Sequence, residues 1–179
     1  MKREAMMRTP ARLVAILLAA AVLLPGCGGS GGGQASGVRK LTSAQMLAQV
    51  RAAGETGREL DVQPLRDPQV EDLRAVAAAA EQRGDYAAAD AALQSALRIS
   101  SNDPDLTQWR AELALVRRDW NGAERLALES FERGPKLGGL CRRNWTTLQF
   151  AREARRDTGN AAIAQQRIGQ CAVNPPVRM

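Results

Sequence analysis

The residues able to do chemistry in this chain are few. Its 179 residues include three cysteines and no histidine. Without histidine there is no Ser-His or Cys-His nucleophile, and the commonest metal ligand is missing. Cys141 and Cys171 are too few to hold zinc on their own, and no cysteine pair has C-x-x-C redox spacing. No GxxxxGK phosphate loop occurs, and the glycines between 28 and 37 lie in a Gly/Ser run outside any strand-turn-helix context. Carboxylates such as Glu81, Asp85, Glu112 and Glu153 are plentiful. Nothing in their spacing sets two of them across a cleft, and solvated, salt-bridging helix faces account for them. The sequence points away from catalysis and from any metal or cofactor.

Cys27 has a context of its own. Lys2, Arg3, Arg8 and Arg12 form a basic start, Leu13 to Leu24 is an uncharged apolar run, and small residues follow at Gly26 to Gly29. The run is too short for a membrane span, which needs about 20 residues, and reads as an export signal. Leu24-Pro25-Gly26-Cys27 resembles the lipobox of bacterial lipoproteins. The resemblance implies cleavage before Cys27 and acylation of its thiol and new amino group. Several acyl chains on one residue anchor strongly, at about 0.8 kcal/mol per buried methylene. In lipoproteins of two-membrane bacteria an Asp after the cysteine retains the protein in the inner membrane. Gly28 in its place implies the outer membrane, facing the periplasm, or the cell-membrane surface where there is a single membrane.

The expected organisation is a signal peptide at 1–26, a flexible tether at 27–40, a helix and connector at 41–66, a helical domain at 67–173 and a tail at 174–179. The net charge is +6. Half of it leaves with the signal, which holds four basic residues against Glu4. An exported chain with few aromatics is not expected to bind nucleic acid. Mild positive charge suits anionic headgroups or acidic partners.

From about Asp67 the chain reads as paired helices with a 34-residue period. Gly84-Asp85-Tyr86-Ala87-Ala88-Ala89 aligns with Arg118-Asp119-Trp120-Asn121-Gly122-Ala123, and Ala96-Leu97 with Ser130-Phe131. This resembles the tetratricopeptide repeat, in which two antiparallel helices join at a tight Gly-Asp-aromatic turn. The implied fold is all-α, a short α-α superhelix of helical hairpins. Ala77, Ala89 and Ala96 would let backbones approach, while Leu73, Val76 and Leu93 fill the space between. The second copy keeps small residues at Ala111, Ala114, Ala123 and Ser130, with Trp109, Leu113 and Trp120 supplying bulk. A third, divergent pair is expected after an enlarged loop, Gly134 to Gly139, with helices over about Leu140–Arg156 and Asn160–Gln170 and its turn at Gly159-Asn160. Asp67-Pro68 and Asp103-Pro104 each place a capping Asp before a helix-starting Pro. A further helix over Ser43–Ala53, capped by Thr42 or Ser43 with Met46, Leu47 and Val50 on one face, would cover the first repeat's open end.

In this family the first helices line a concave face that binds peptides or partner helices. Matching positions give Glu71, Arg74, Ala78, Glu81 and Gln82 from the first copy, then Asp105, Gln108, Glu112, Leu115 and Val116. The third gives Trp145, Leu148, Arg152, Arg155 and Arg156. That surface would be acidic in the middle and basic at its C-terminal end, suited to an envelope protein or peptide of complementary charge. An exposed last helix would offer a homodimer surface. The function implied is a membrane-anchored, non-catalytic interaction scaffold or assembly factor. The alternatives are a binding regulator of a cell-wall enzyme and, further off, an enzyme.

Cys141 and Cys171 bracket the third pair. A disulfide, buried free thiols, and an intermolecular or catalytic role are all open here. An oxidising compartment favours the bond. With the turn at Gly159-Asn160, however, Cys141 lies about five residues farther from the turn than Cys171, roughly 7 Å along the helix axis.

Overall fold

The computed structural model describes residues 41–57 and 65–172; the signal segment, Cys27, the tether and the tail from residue 173 lie outside the described residues. Among the described residues there are seven helices and no strand. They are α1 (Ser43–Glu55), α2 (Pro68–Gln82), α3 (Tyr86–Ile99), α4 (Pro104–Val116), α5 (Trp120–Arg133), α6 (Gly138–Ala154) and α7 (Thr158–Gln170). None is long and apolar enough to cross a membrane. Helices α2/α3, α4/α5 and α6/α7 form three hairpins stacked in chain order, with α4 packed on α3 and α6 on both α5 and α4.

The three hairpin turns are one device used three times. Gly84, Arg118 and Arg156 take left-handed backbone at φ 76°, 63° and 65°. The following residues, Asp85, Asp119 and Asp157, donate their N–H back to the carbonyls of Ala80, Ala114 and Arg152. This closes the first helix in a Schellman motif. Each Asp then caps the next helix, its carboxylate accepting from the N–H of Ala88, Gly122 or Asn160. One residue so satisfies orphan groups of two helices and fixes the hairpin angle.

This places the third turn at Arg155–Asp157 rather than at Gly159-Asn160. The connector before α6 is no longer than the one before α4, since each spans four residues, 100–103 and 134–137. The extra four residues of the third unit lengthen α6 itself, to 17 residues against 13 for α4. The expected enlarged loop is therefore an added helical turn, and it carries Cys141.

The core lies in two parts that share α4. Val70, Ala77, Ala80, Ala89, Leu93 and Ala96 pack against Leu106 and Leu113 of α4. On its other side Ala111, Ala114 and Leu115 meet Val50, Ala123, Ala127, Leu148, Phe150, Ala151 and Ala164. Buried around most of its circumference, α4 cannot show a single apolar stripe. The small residues read from the sequence are buried as expected, Ser130 included. Val76, an expected packing residue, is 56% exposed: among the described helices α2 packs closely on α3 alone, so its outer face has nothing to fill.

Helix α1 also differs from expectation. Its capping box on Thr42 and Gln45 is present, but α1 packs on α6 and α4, not over the end of the first hairpin. Val50 is fully buried there. At the C-terminal end of α1, Arg142 Nε donates to the Ala53 carbonyl at 2.8 Å. Gly54 and Gly139 pass so closely that a Cβ on Gly139 would lie 2.5 Å from the Gly54 carbonyl oxygen. The end of α1 thus meets the start of α6, while Val50 shares a core with Leu148, Phe150 and Ala151 farther along. Helix α1 therefore runs antiparallel to α6, and the chain enters at Leu41 toward the hairpin-turn edge.

Candidate functional site

The first helices of the three hairpins, α2, α4 and α6, form an inner face, and α1 lies across its second and third units. An alternating chain of charges stitches these four helices. Arg51 of α1 bridges Glu81 of α2 at 2.8 Å and Glu112 of α4 at 3.1 Å. Arg143 of α6 takes the other Glu112 oxygen at 2.7 Å and Asp105 at 2.8 Å. Asp105 is held from its far side by Arg74 of α2 at 2.9 Å. Trp109 Nε1 donates to Glu81 at 2.8 Å, and the Arg74 guanidinium stands 5.3 Å over the Trp109 ring. Gln108 joins Glu112 to Thr147, with its amide donating to both.

The electrostatics follow from this alternation. Burial acts to raise the Asp105 pKa and is outweighed by Arg143 and Arg74, which hold it below the usual carboxylate value. Burial acts to lower the Arg143 pKa and is outweighed by Glu112 and Asp105, so it lies above its ordinary value. Arg51 is raised in the same way, burial being outweighed by Glu81 and Glu112. Glu112 is fully buried with a guanidinium on each oxygen. Asp105, fixed between Arg143 and Arg74, holds its charge and position and is poorly suited to taking up and releasing protons.

Four of the residues expected to line the groove, Glu71, Arg74, Glu81 and Glu112, converge on this network, Glu71 through contacts of 3.8 Å to Arg74 and 3.5 Å to Arg66. The other four do not. The corrected turn shifts the third unit's register, and the position matching Asp105 is Arg143 rather than Trp145. Trp145 stands edge-on to Phe131 and under Arg167. Arg152 pairs with Glu124 of α5 at 2.8 Å. Arg155 pairs with Glu124 and with Asn121. Arg156 is the exposed turn residue. Of the second unit's expected lining, Gln108, Glu112 and Leu115 are fully buried, with α1 and α6 both packed on α4. Leu148 is equally buried, inside the core.

Among the described residues, the inner face is least covered between α1 and α2, whose backbones do not approach each other closely and which meet through the Arg51–Glu81 pair. This notch has Trp109, Arg74 and the Arg51–Glu81 pair as its floor and the exposed Glu71 and Gln82 on its rim. At the far end of the stack, α7 leaves Ile163 half exposed.

Cys141 and Cys171 form a disulfide with Cα atoms 5.7 Å apart. The axial offset expected from the sequence came from the misplaced turn. The two cysteines lie fifteen residues either side of Arg156, level with each other across the hairpin. Beside the bond is a cleft of about 340 Å³ lined by Phe131, Lys136, Trp145, Arg167 and Gln170. Lys136 is already engaged there with the Phe131 and Glu132 carbonyls at the end of α5.

No known family pattern and no curated protein sequence matches the chain. Its structure is similar to that of the globular C-terminal domain of P. aeruginosa LpoP, with a TM-score of 0.54 and 27% sequence identity. The match covers 59% of this chain and 99% of that domain.

Proposed function

We propose that this chain is a non-catalytic binding module of the bacterial envelope, a tetratricopeptide-like lipoprotein held at the outer membrane through Cys27 and docking a partner protein on the inner face of its repeats. The observation that carries the reading is the notch between α1 and α2. It is a surface of paired charges and one indole on stacked hairpins, a form that recognises extended or helical protein segments. Three further features support the envelope setting. The Cys141–Cys171 bond belongs to an oxidising compartment. The sequence opens with an export signal ending at a lipobox-like Cys27. The similar LpoP domain is itself the globular C-terminal part of its chain, an organisation like the one read here. A partner that is a cell-wall enzyme falls within this proposal, and its identity decides between scaffold and regulator.

The test is affinity purification of the acylated protein from membranes, beside a Gln82→Arg variant altered only on the exposed rim. The expected result is a partner recovered with the wild type and lost with the variant. Equal recovery with both would remove the notch as the docking surface.

A further inference from the structure

Because α2, α4 and α6 run in parallel, their three turns into α3, α5 and α7 lie along one edge of the stack. That edge is lined with arginine: Arg83, Arg117, Arg118, Arg155 and Arg156. Arg117 leans back to Asp90 at 3.8 Å, and Arg155 to Glu124 and Asn121. Arg83, Arg118 and Arg156 are exposed and make no ion pair among the described residues. The nearby Asp85, Asp119 and Asp157 are turned onto helix amides as caps.

Two of these arginines are held against a conformational preference. Arg118 and Arg156 take left-handed backbone that glycine adopts freely, as Gly84 does at the equivalent turn. A strained position kept by a residue that packs on nothing directs attention to what that side chain meets outside the fold. The chain's entry point gives the direction. Leu41, the first described residue, lies toward this same edge, so an anchor at Cys27 would join the domain on the side that carries the arginines.

We propose that the hairpin-turn edge, through Arg83, Arg118 and Arg156, docks on anionic phospholipid headgroups of the membrane to which the tether leads. Stacked first helices sit roughly 10 Å apart, so the three turns span about 20 Å. The cleft beside the disulfide, and a second one between Glu124, Leu128 and Arg155, are not lined by these three arginines. Such an edge suits a charged layer that asks for no shape complementarity better than an acidic peptide that needs pockets for its side chains. The direction of approach rests on the proposed anchoring at Cys27; the electrostatic attraction does not.

The experiment uses residues 28–179 without acyl groups, since residues 40–179 form a compact unit with its own core. Binding is measured by cosedimentation with vesicles of 30% phosphatidylglycerol in phosphatidylethanolamine, and with neutral phosphatidylcholine vesicles, at low salt. Binding to the anionic vesicles alone is expected. At about 1 kcal/mol per arginine near such a surface, Arg118→Gly/Arg156→Gly lowers binding roughly 30-fold. The same variant relaxes the two turns and raises Tm, by roughly 2–4 °C per site. Weaker binding in a more stable protein is an outcome that a merely structural role would not produce. Arg98→Gln/Arg125→Gln removes equal charge from the α3 and α5 faces and is expected to change binding less than about threefold.

Equal loss in that control would show that net charge and not the edge is responsible, and would overturn the proposal. So would equal binding to both vesicle types. Binding to polyglutamate without binding to anionic vesicles would overturn it in favour of an acidic protein. Palmitate incorporation reads the anchoring at Cys27 separately, so the two claims fail in distinguishable ways.

Discussion

Breaking the Cys141–Cys171 bond should cost the domain a large share of its stability. The sequence separation is 30 residues, and the loop-entropy model assigns such a cross-link about 3.6 kcal/mol at 25 °C. For a domain of about 130 residues the unfolding entropy near Tm is roughly 0.27 kcal/mol/K, so Tm should fall by about 13 °C. The assay is thermal unfolding followed by helical circular dichroism, on wild type with and without reductant and on Cys141→Ser/Cys171→Ser. Reduced wild type and the double variant should agree, and reductant should leave the variant unchanged. The bond ties down α7, which packs on α6 alone among the described helices, so hydrogen exchange should rise first in α7 and last in α4. A Tm change below about 4 °C would refute the reasoning. So would loss of protection starting in α2 and α3.

Three further outcomes follow from the inner face and core. Glu112→Ala strips the shared carboxylate from Arg51 and Arg143; it should cost about 3 kcal/mol in urea unfolding, and a cost under 1 kcal/mol would mean that the network is ornamental. Asp105 has a folded pKa below its unfolded value, so its contribution is complete above about pH 4 and is lost as pH falls through the folded pKa. Unfolding midpoints should drop on acidification below about pH 4, and Asp105→Asn should flatten that slope. Asn144 is fully buried with neither amide atom hydrogen-bonded among the described residues, at the position where the second unit has Leu106; Asn144→Leu should stabilise by about 1–2 kcal/mol, and a loss of stability would show that the amide has polar partners in the folded protein.

The hairpins were legible because close packing demands small residues at fixed spacing, and Ala77, Ala89, Ala96, Ala111 and Ala123 supply them at a 34-residue period. The turns were legible where an aromatic follows Asp, at Asp85-Tyr86 and Asp119-Trp120. At the third turn Thr158 follows Asp157, and Gly159 offered a more familiar turn residue. The underlying signal was the capping Asp after a residue able to take positive φ, and the symmetry of the two cysteines about Arg156 would have located it. The wrong turn then carried Trp145 and Arg152 into a groove they do not line and hid Arg143. The position of α1 was not legible from its own amphipathicity, which says that one face is buried but not against what. Arg51 was the missed clue, a cation on a helix whose partner face carries Glu81 and Glu112. Val76 misled for the opposite reason, being an apolar residue at a packing position with no neighbour to pack on.

The most direct test of the binding-module account is photo-crosslinking in intact cells. A benzophenone side chain at position 71 or 82, on the notch rim, should give one discrete adduct with an envelope protein. The same group at position 94, on the α3 outer surface, should give none. Adducts from position 94 with none from 71 or 82 would contradict the account.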